Sequence, residues 1–196
     1  CTIEDATGAL TIFGPNAQVQ AVLAAAAGAD GTGNVLAQLS GVTQNFNGRF
    51  ELISVSDAVS ANRFEPPSLT TVVAADFAPQ SPTAEALESR LVRLEGYIFS
   101  QSGTFSSITS YTNGGVEVWV STPAIATALN AQFSRIPTFL ELNLTGVFSQ
   151  FDRTAPFDSF YQLVLLRAER ACGPDFNADN AVTVQDIFDF LVAYFT

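Results

Sequence analysis

The chain has 196 residues, enough for one large or two small domains with buried cores. Its formal net charge is −11, every basic residue is arginine, and it contains no histidine, lysine or methionine. The missing histidine excludes Ser-His-Asp and Cys-His catalysis, and the acidic balance disfavours nucleic acid and anionic membranes as partners. Paired carboxylates such as Glu85 and Glu88 are predicted to lie at the solvated surface, so we predict no enzyme activity.

Cysteine usage and apolar content predict an exported protein. Cys1 and Cys172 most simply form one disulfide, although Cys1 could instead carry a lipid or each cysteine could pair across a subunit boundary. The chain starts without Met, as a processed protein would, and no apolar run reaches the ~20 residues that cross a bilayer. We therefore expect a secreted or cell-surface protein that is not inserted in a membrane. With 47% hydrophobic and 14% charged residues, its surface should tend to associate.

An internal repeat organises most of the chain. Residues 7–13, 39–47 and 51–53 recur, in order and with nearly constant spacing, as residues 113–119, 144–152 and 162–164. Two copies of one small domain explain this pattern better than a solenoid, which needs at least three stacked units.

Each copy reads as strands, a helix and further strands. Alternating apolar residues predict strands around Leu10 and around Val118, and residues 18–27 and 123–132 have helical composition. Gly41 and Gly146 sit inside strand patterns, where a small barrel bends or bulges.

The order of these elements is that of the OB-fold, a five-stranded Greek-key barrel. The phrase E-S-R-L-V-R-L-E-G at residues 88–96 resembles the first strand of OB-like domains in secreted bacterial proteins, a resemblance that covers residues 67–170. We therefore expect a mainly β protein with two small OB-like Greek-key barrels in tandem, followed by a C-terminal calcium loop and helix.

The first copy lacks a counterpart of the opening strand of the second. A barrel short of one strand presents an open edge, which either a neighbouring molecule or residues 69–73 of the same chain could fill. The predicted boundaries are residues 1–63 for the first OB-like domain, 64–86 for a Pro-rich connector, 87–171 for the second domain and 172–196 for the calcium unit.

Residues 175–186 have the pattern of a twelve-residue calcium loop. Oxygen ligands are expected from Asp175, Asn177, Asp179, the Ala181 carbonyl, Thr183 and Asp186. The alternative is an Asp-rich turn that caps a helix. The loop resembles one half of a type I dockerin, whose loops end in Asp, and the resemblance implies bound Ca²⁺.

The segment after this loop is predicted to be an apolar helix. Its expected assembly residues are Ile187, Phe188, Leu191, Tyr194 and Phe195. A dockerin pairs two loop–helix units, whereas this chain has one, so the apolar surface must be covered by the rest of the chain or by another molecule. The expected partners are copies of the same chain or a scaffold protein.

Aromatic residues offer a second interpretation of the barrels. OB barrels bind ligands through stacked aromatics, and Trp119 is expected to lie opposite the inward-facing valines of its strand. Other stacking candidates, most of them expected in the core, are Phe46, Phe50, Phe148, Phe151, Phe157, Phe160 and Tyr161.

We predict a secreted, non-catalytic protein stabilised by calcium, built as the subunit of a filament, tube or surface layer. The alternative is an accessory module that binds polysaccharide or nucleic acid and is attached to a scaffold through its calcium unit.

Overall fold

The computed structural model describes residues 2–4, 8–27, 36–61, 68–171 and 183–195. The chain divides into two compact units that interleave along the sequence. The first unit takes its described residues from Cys1–Thr70, Ala75–Val92 and Val147–Gln162. The second takes them from Thr71–Ala74, Arg93–Gly146 and Leu163–Thr196. The four segments proposed from the sequence remain a prediction.

The first third of the chain forms a four-stranded sheet with one helix. Its elements are β1 (Thr2–Glu4), β2 (Ala9–Ile12), α1 (Asn16–Ala27), β3 (Leu36–Phe46) and β4 (Arg49–Ser60). The strand order is β1-β2-β4-β3, with β2 parallel to β4 and the other pairs antiparallel. Ile12, Val22, Leu52 and Val55 form its buried core, to which α1 contributes Val22.

The remaining strands form a six-stranded sheet in the order β5-β6-β9-β10-β8-β7. These strands are β5 (Thr70–Val72), β6 (Leu91–Tyr97), β7 (Thr109–Asn113), β8 (Val116–Val120), β9 (Leu142–Gln150) and β10 (Tyr161–Arg170). The helical elements are a 3₁₀ turn (Ala74–Phe77), α2 (Ala84–Leu87), α3 (Pro123–Phe133) and α4 (Val184–Phe195). None of the described helices is long and apolar enough to cross a membrane.

Local sequence explains several of these elements. In β8 the alternation predicted from the sequence is confirmed, because Val116, Val118 and Val120 are all buried. Helix α3 starts with Pro123, and the Thr122 hydroxyl caps it by accepting a hydrogen bond of 3.3 Å from the Ile125 N–H. The predicted helices are therefore present as α1 and α3.

The two copies of the repeat fold in the same order. The series β1, β2, α1, β3, β4 corresponds to β7, β8, α3, β9, β10. The strand orders also correspond, since β1-β2-β4-β3 matches β7-β8-β10-β9. The second sheet continues past β9 with β6 and β5, whereas among the described strands the first sheet ends at β3. The prediction that the first copy is one strand short stays a prediction, because residues 5–7, 28–35 and 62–67 lie outside the described part of the chain.

The expectation of closed barrels is wrong for the described strands, which form two open sheets. Closing a barrel requires the two edge strands of a sheet to pair with each other. One edge strand of each sheet, β1 in the first and β5 in the second, has only 3 residues. In the first sheet, closure would require β1 to pair with β3, the other edge strand. Because β3 has 11 residues, most of its backbone would remain unpaired. The chain is therefore mainly β, as predicted, but arranged as two sheets.

Gly146 is required by close packing between β9 and β10. A Cβ built on it would meet the carbonyl oxygen of Val164, a backbone atom, and the side chain of Leu163. Gly41, its counterpart in β3, lies where the β3–β4 register shifts between Ser40 and Val42. Gly41 therefore lies at a strand irregularity of the kind that the sequence predicted, whereas Gly146 lies where two strands approach closely.

We expect Gly146→Ala to lower the free energy of unfolding by about 3 kcal/mol, because the carbonyl of Val164 cannot move without disturbing the sheet. Gly114→Ala is the matched control in the same unit. Gly114 has φ +59° and open space around it, so its substitution should cost only about 1 kcal/mol of backbone strain. Urea unfolding monitored by circular dichroism measures both changes, and equal losses would contradict the packing argument.

Candidate functional site

Most of the predicted calcium and disulfide residues lie outside the part of the chain that the structure describes. These residues are Asp175, Asn177, Asp179, Ala181, Cys1 and Cys172. Among the residues that are described, no three of His, Cys, Asp and Glu converge as a metal site. The calcium site and the disulfide therefore remain predictions.

The structure does bring the last two predicted calcium ligands together. Asp186 is buried, and its Oδ2 accepts hydrogen bonds from the Thr183 N–H at 2.7 Å and from the Thr183 hydroxyl at 3.4 Å. The Thr183 hydroxyl oxygen in turn accepts a bond of 3.2 Å from the Gln185 N–H. This reciprocal arrangement is a capping box, which satisfies backbone donors at the start of α4. It places two side-chain oxygens at the end of the proposed loop.

Helix α4 presents an apolar stripe to solvent. Val184, Ile187, Phe188 and Leu191 have the i, i+3, i+4, i+7 spacing of one helix face, and all four are exposed. We call these four residues the α4 stripe. The side chains of Tyr194 and Phe195, also predicted for assembly, lie outside the described ones.

The stacking candidates divide into two groups. Phe148 and Tyr161 are buried, and Trp119 and Phe157 are half-buried. The exposed candidates are Phe46, Phe50, Phe151 and Phe160. Trp119 does lie on the opposite alternation to the buried valines of β8, as expected, and its stacking role remains a prediction.

The prediction that Glu88 is a solvated surface carboxylate is wrong. Glu88 follows α2 in the first unit and is only 9% exposed, and its Oε1 has no hydrogen-bond partner among the described residues. Next to it, Ser89 pairs with the Thr11 hydroxyl at 2.9 Å, and Arg90 pairs with Glu4 at 2.9 Å. The α2 segment is therefore held against β1 and β2 by polar contacts, and this holds Glu88 in the interior.

Burial raises the pKa of the Glu88 carboxyl from its ordinary 4.5 to about 7, and the nearby Glu85 carboxylate adds to the increase. A hydrogen bond from the Phe50 N–H and the positive charge of Arg49 lower the pKa of Glu88, whereas the negative charge of Glu51 raises it. The Glu85 carboxylate accepts a hydrogen bond of 2.8 Å from the Tyr161 hydroxyl. Burial and this bond raise the pKa of Tyr161 well above its usual range. The first unit thus contains an interior carboxyl that is protonated in mildly acidic solution.

Because the folded state binds the Glu88 proton more tightly than the unfolded state, this proton stabilises the fold below pH 4.5. The contribution is lost as the pH rises through about 7. We expect Glu88→Gln to raise the free energy of unfolding at pH 8 by on the order of 2 kcal/mol, with little change at pH 4.

Chemical unfolding at pH 4, 6 and 8 checks this expectation. The control is Glu95→Gln, which removes one negative charge from an exposed position on β6. A Glu88→Gln variant whose stability follows the same pH dependence as the wild type would contradict the assignment.

Comparison with known proteins gives no family. No family model matches the chain, and no curated protein matches it. One solved structure, asparaginyl-tRNA synthetase of Entamoeba histolytica in complex with asparaginyl-adenylate, is 10% identical with a TM-score of 0.35. The match covers 66% of this chain and 30% of that chain. A likeness this weak carries no argument about function.

Proposed function

We propose that this protein is a secreted, non-catalytic subunit that assembles with copies of itself outside the cell, stabilised by calcium in its C-terminal loop. The observation that carries the proposal is the position of β3. Its counterpart β9 lies between β10 and β6, whereas β3 pairs with β4 and is the last strand of its sheet within the described chain.

The side of β3 that no described strand pairs is suited to strand addition. At 11 residues it is a long edge strand, and long edges present rows of backbone donors and acceptors that another strand can pair with. Val42, at its centre, is 58% exposed. Natural edge strands are usually protected by charges, proline or β-bulges. Residues 36–46 contain no charge and no proline, and the register shifts of β3 are confined to Leu36–Val42, which leaves residues 43–46 regularly paired with β4.

The segment of this chain that could have paired with β3 pairs elsewhere in the fold. Residues 69–73 were expected to form a strand that could close the first copy within the chain. They do contain a strand, β5, but it pairs with β6 at the edge of the six-stranded sheet. A strand from a second molecule is therefore the occupant that we propose for the β3 edge.

Two further features support assembly. The α4 stripe exposes four large apolar side chains on one helix face, a pattern typical of interaction surfaces. The capping box formed by Thr183 and Asp186 fixes the start of that helix. We propose that the OB-like repeats supply the edge, and that the dockerin-like loop, with its Ca²⁺, positions the helix.

We expect the wild type to form polymers in calcium-containing buffer, measurable by light scattering and sedimentation velocity. Val42→Lys should raise the concentration at which assembly begins by roughly tenfold, because a charged side chain on an edge strand opposes strand pairing. Val59→Lys is the matched control, since Val59 is 49% exposed on β4, the strand with which β3 already pairs. A wild type that stays monomeric at high concentration, or equal effects of both lysines, would contradict the proposal.

We expect one Ca²⁺ per chain by titration calorimetry, and Asp175→Ala should weaken its binding by at least roughly tenfold, because position one of the loop supplies a carboxylate ligand. Asp76→Ala, which removes a half-buried carboxylate outside the loop, is the control and should leave calcium affinity unchanged. Wild-type affinity in Asp175→Ala would rule out the assigned loop.

A further inference from the structure

Residues 42–46, at the end of β3, are the regular part of this edge strand. They pair one to one with residues 49–53 of β4 without a register shift. Because side chains alternate along a strand, Val42, Gln44 and Phe46 lie on one face of the sheet. Val42 is 58% exposed and Phe46 is 48% exposed, whereas Gln44 is half-buried between them. This part of β3 therefore carries two exposed apolar side chains on either side of one amide.

The turn after β3 decides which of its backbone groups point away from β4. Residues 47–48 form a two-residue turn with φ angles of 54° and 92°, as in the type I′ turns of hairpins. Such a turn closes with a hydrogen bond between the residues that flank it, here Phe46 and Arg49. Bonded and non-bonded pairs alternate along an antiparallel ladder, so the N–H and C=O groups of Thr43 and Asn45 point away from β4.

A second copy of the chain offers edge strands of unequal use among its described residues. β1 and β5 have 3 residues each, so either could pair with only part of the β3 edge. β7 has 5 residues, but the segment after β6 already bonds to it. The Ser100 hydroxyl and the Gln101 amide donate to the Thr112 carbonyl at 2.9 and 3.3 Å, and the Asn113 amide donates to the Ile98 carbonyl at 2.7 Å. Among the described edges, β3 itself is the best match for β3 in length.

We propose that two copies of the chain pair through their β3 strands, antiparallel about a two-fold axis that passes between the two Gln44 residues. This inference rests on the proposed self-assembly and names the strand that each copy adds to the other. In this register Val42 of each copy faces Phe46 of the other, and Thr43 faces Asn45. The outward backbone groups of Thr43 and Asn45 exchange about four hydrogen bonds across the axis. Each facing pair of valine and phenylalanine is an aromatic–β-branched contact of the kind that stabilises sheets.

The side chains of β3 favour this register over its neighbours. Sliding the strands by two residues in either direction would set Gln44 against Val42 or Phe46 and separate the two apolar pairs. Sliding them by one residue would set outward backbone groups against inward ones. The Gln44 amide already donates to Glu51 at 3.1 Å, which leaves its second N–H and its carbonyl for Gln44 of the other copy. Because residues 36–46 carry no charge, self-pairing brings no like charges together.

The symmetry of this contact limits what it builds. Both copies use the same strand, so the contact is isologous and closes at two copies. The dimer is then the building block of the assembly, and a longer polymer needs a second, different contact between dimers.

Charge variants of the full-length protein test the register in calcium-containing buffer. Val42→Lys and Phe46→Glu should each raise the concentration at which dimers form by roughly tenfold, since each sets a charge against an apolar side chain. An equimolar mixture of the two should return to within about threefold of the wild type, because the introduced lysine of one copy then faces the introduced glutamate of the other. Sedimentation velocity measures the dimers, and circular dichroism checks that each variant is folded.

The matched control is a mixture of Val42→Lys with Val42→Glu. It contains the same two charges, but in the proposed register neither faces the other, so dimers should stay impaired. Recovery in this mixture rather than in the first would overturn the register. If Phe46→Glu does not fold, Phe46→Lys mixed with Val42→Glu repeats the test with the charges exchanged.

Cross-linking tests the two-fold axis without introducing a charge. Gln44→Cys places two thiols opposite each other at the axis, so mild oxidation should link the copies into covalent dimers. Thr43→Cys is the control, because the neighbouring side chain points to the other face of the sheet and faces Asn45 instead of itself. Gln44→Cys should link at least roughly tenfold faster than Thr43→Cys, with the wild type, which has its own Cys1 and Cys172, as the background. Equal rates in both variants would overturn the axis.

These outcomes separate the inference from the proposed function. If the wild type assembles and Val42→Lys impairs it, while its mixture with Phe46→Glu stays impaired and Gln44→Cys does not cross-link, self-assembly stands and the pairing of β3 with β3 is overturned. If the wild type is monomeric at high concentration, both are overturned. Recovery in the Val42→Lys and Phe46→Glu mixture together with fast cross-linking of Gln44→Cys supports both.

Discussion

Every interior strand of a sheet pairs its backbone on two sides, and β3 pairs on one within the described chain. That constraint distinguishes the two copies of the repeat. In the second copy β6 occupies the position beside β9, so β9 has a pairing strand on both sides. In the first copy none of the described strands pairs the corresponding side of β3. Val42 is exposed in the middle of this edge, so an added strand would cover apolar surface as well as pair the backbone.

The polar interior of the first unit depends on segments that are distant in sequence. The side-chain amide of Gln150 lies so close to Gly48 that a Cβ on Gly48 would collide with it. The Arg49 guanidinium donates a hydrogen bond of 3.4 Å to the Ser149 hydroxyl. These contacts join the tip of the β3–β4 hairpin to the end of β9. The same region contains buried Glu51, which accepts hydrogen bonds from Arg49 and Gln44. Glu51 therefore has charge-assisted partners, whereas burial raises the pKa of the Glu88 carboxyl and so favours its protonated form.

Helix α4 begins with a capping motif whose residues also belong to the proposed calcium loop. Thr183 and Asp186 cap the helix in the structure and would also be the last side-chain ligands of the proposed calcium loop. Both roles require oxygens at the same two positions, because the loop ends where the helix begins. The cap fixes the residue at which α4 starts. The i, i+3, i+4, i+7 spacing of the apolar residues then places them on one face of the helix.

Local patterns in the sequence determined the repeat, the helices α1 and α3 and the alternation of β8. Each of these depends on periodicity, turn residues or capping, which act between residues close in sequence. Tertiary structure alone decided that the sheets stay open, that Glu88 is interior and that the exposed rings of Phe46 and Phe151 lie against each other. These outcomes depend on which distant segments pack together. The identity of Phe160 gives no sign of its left-handed backbone, which is set by hydrogen bonds that the side chains of Gln150 and Asp152 make to the loop before it.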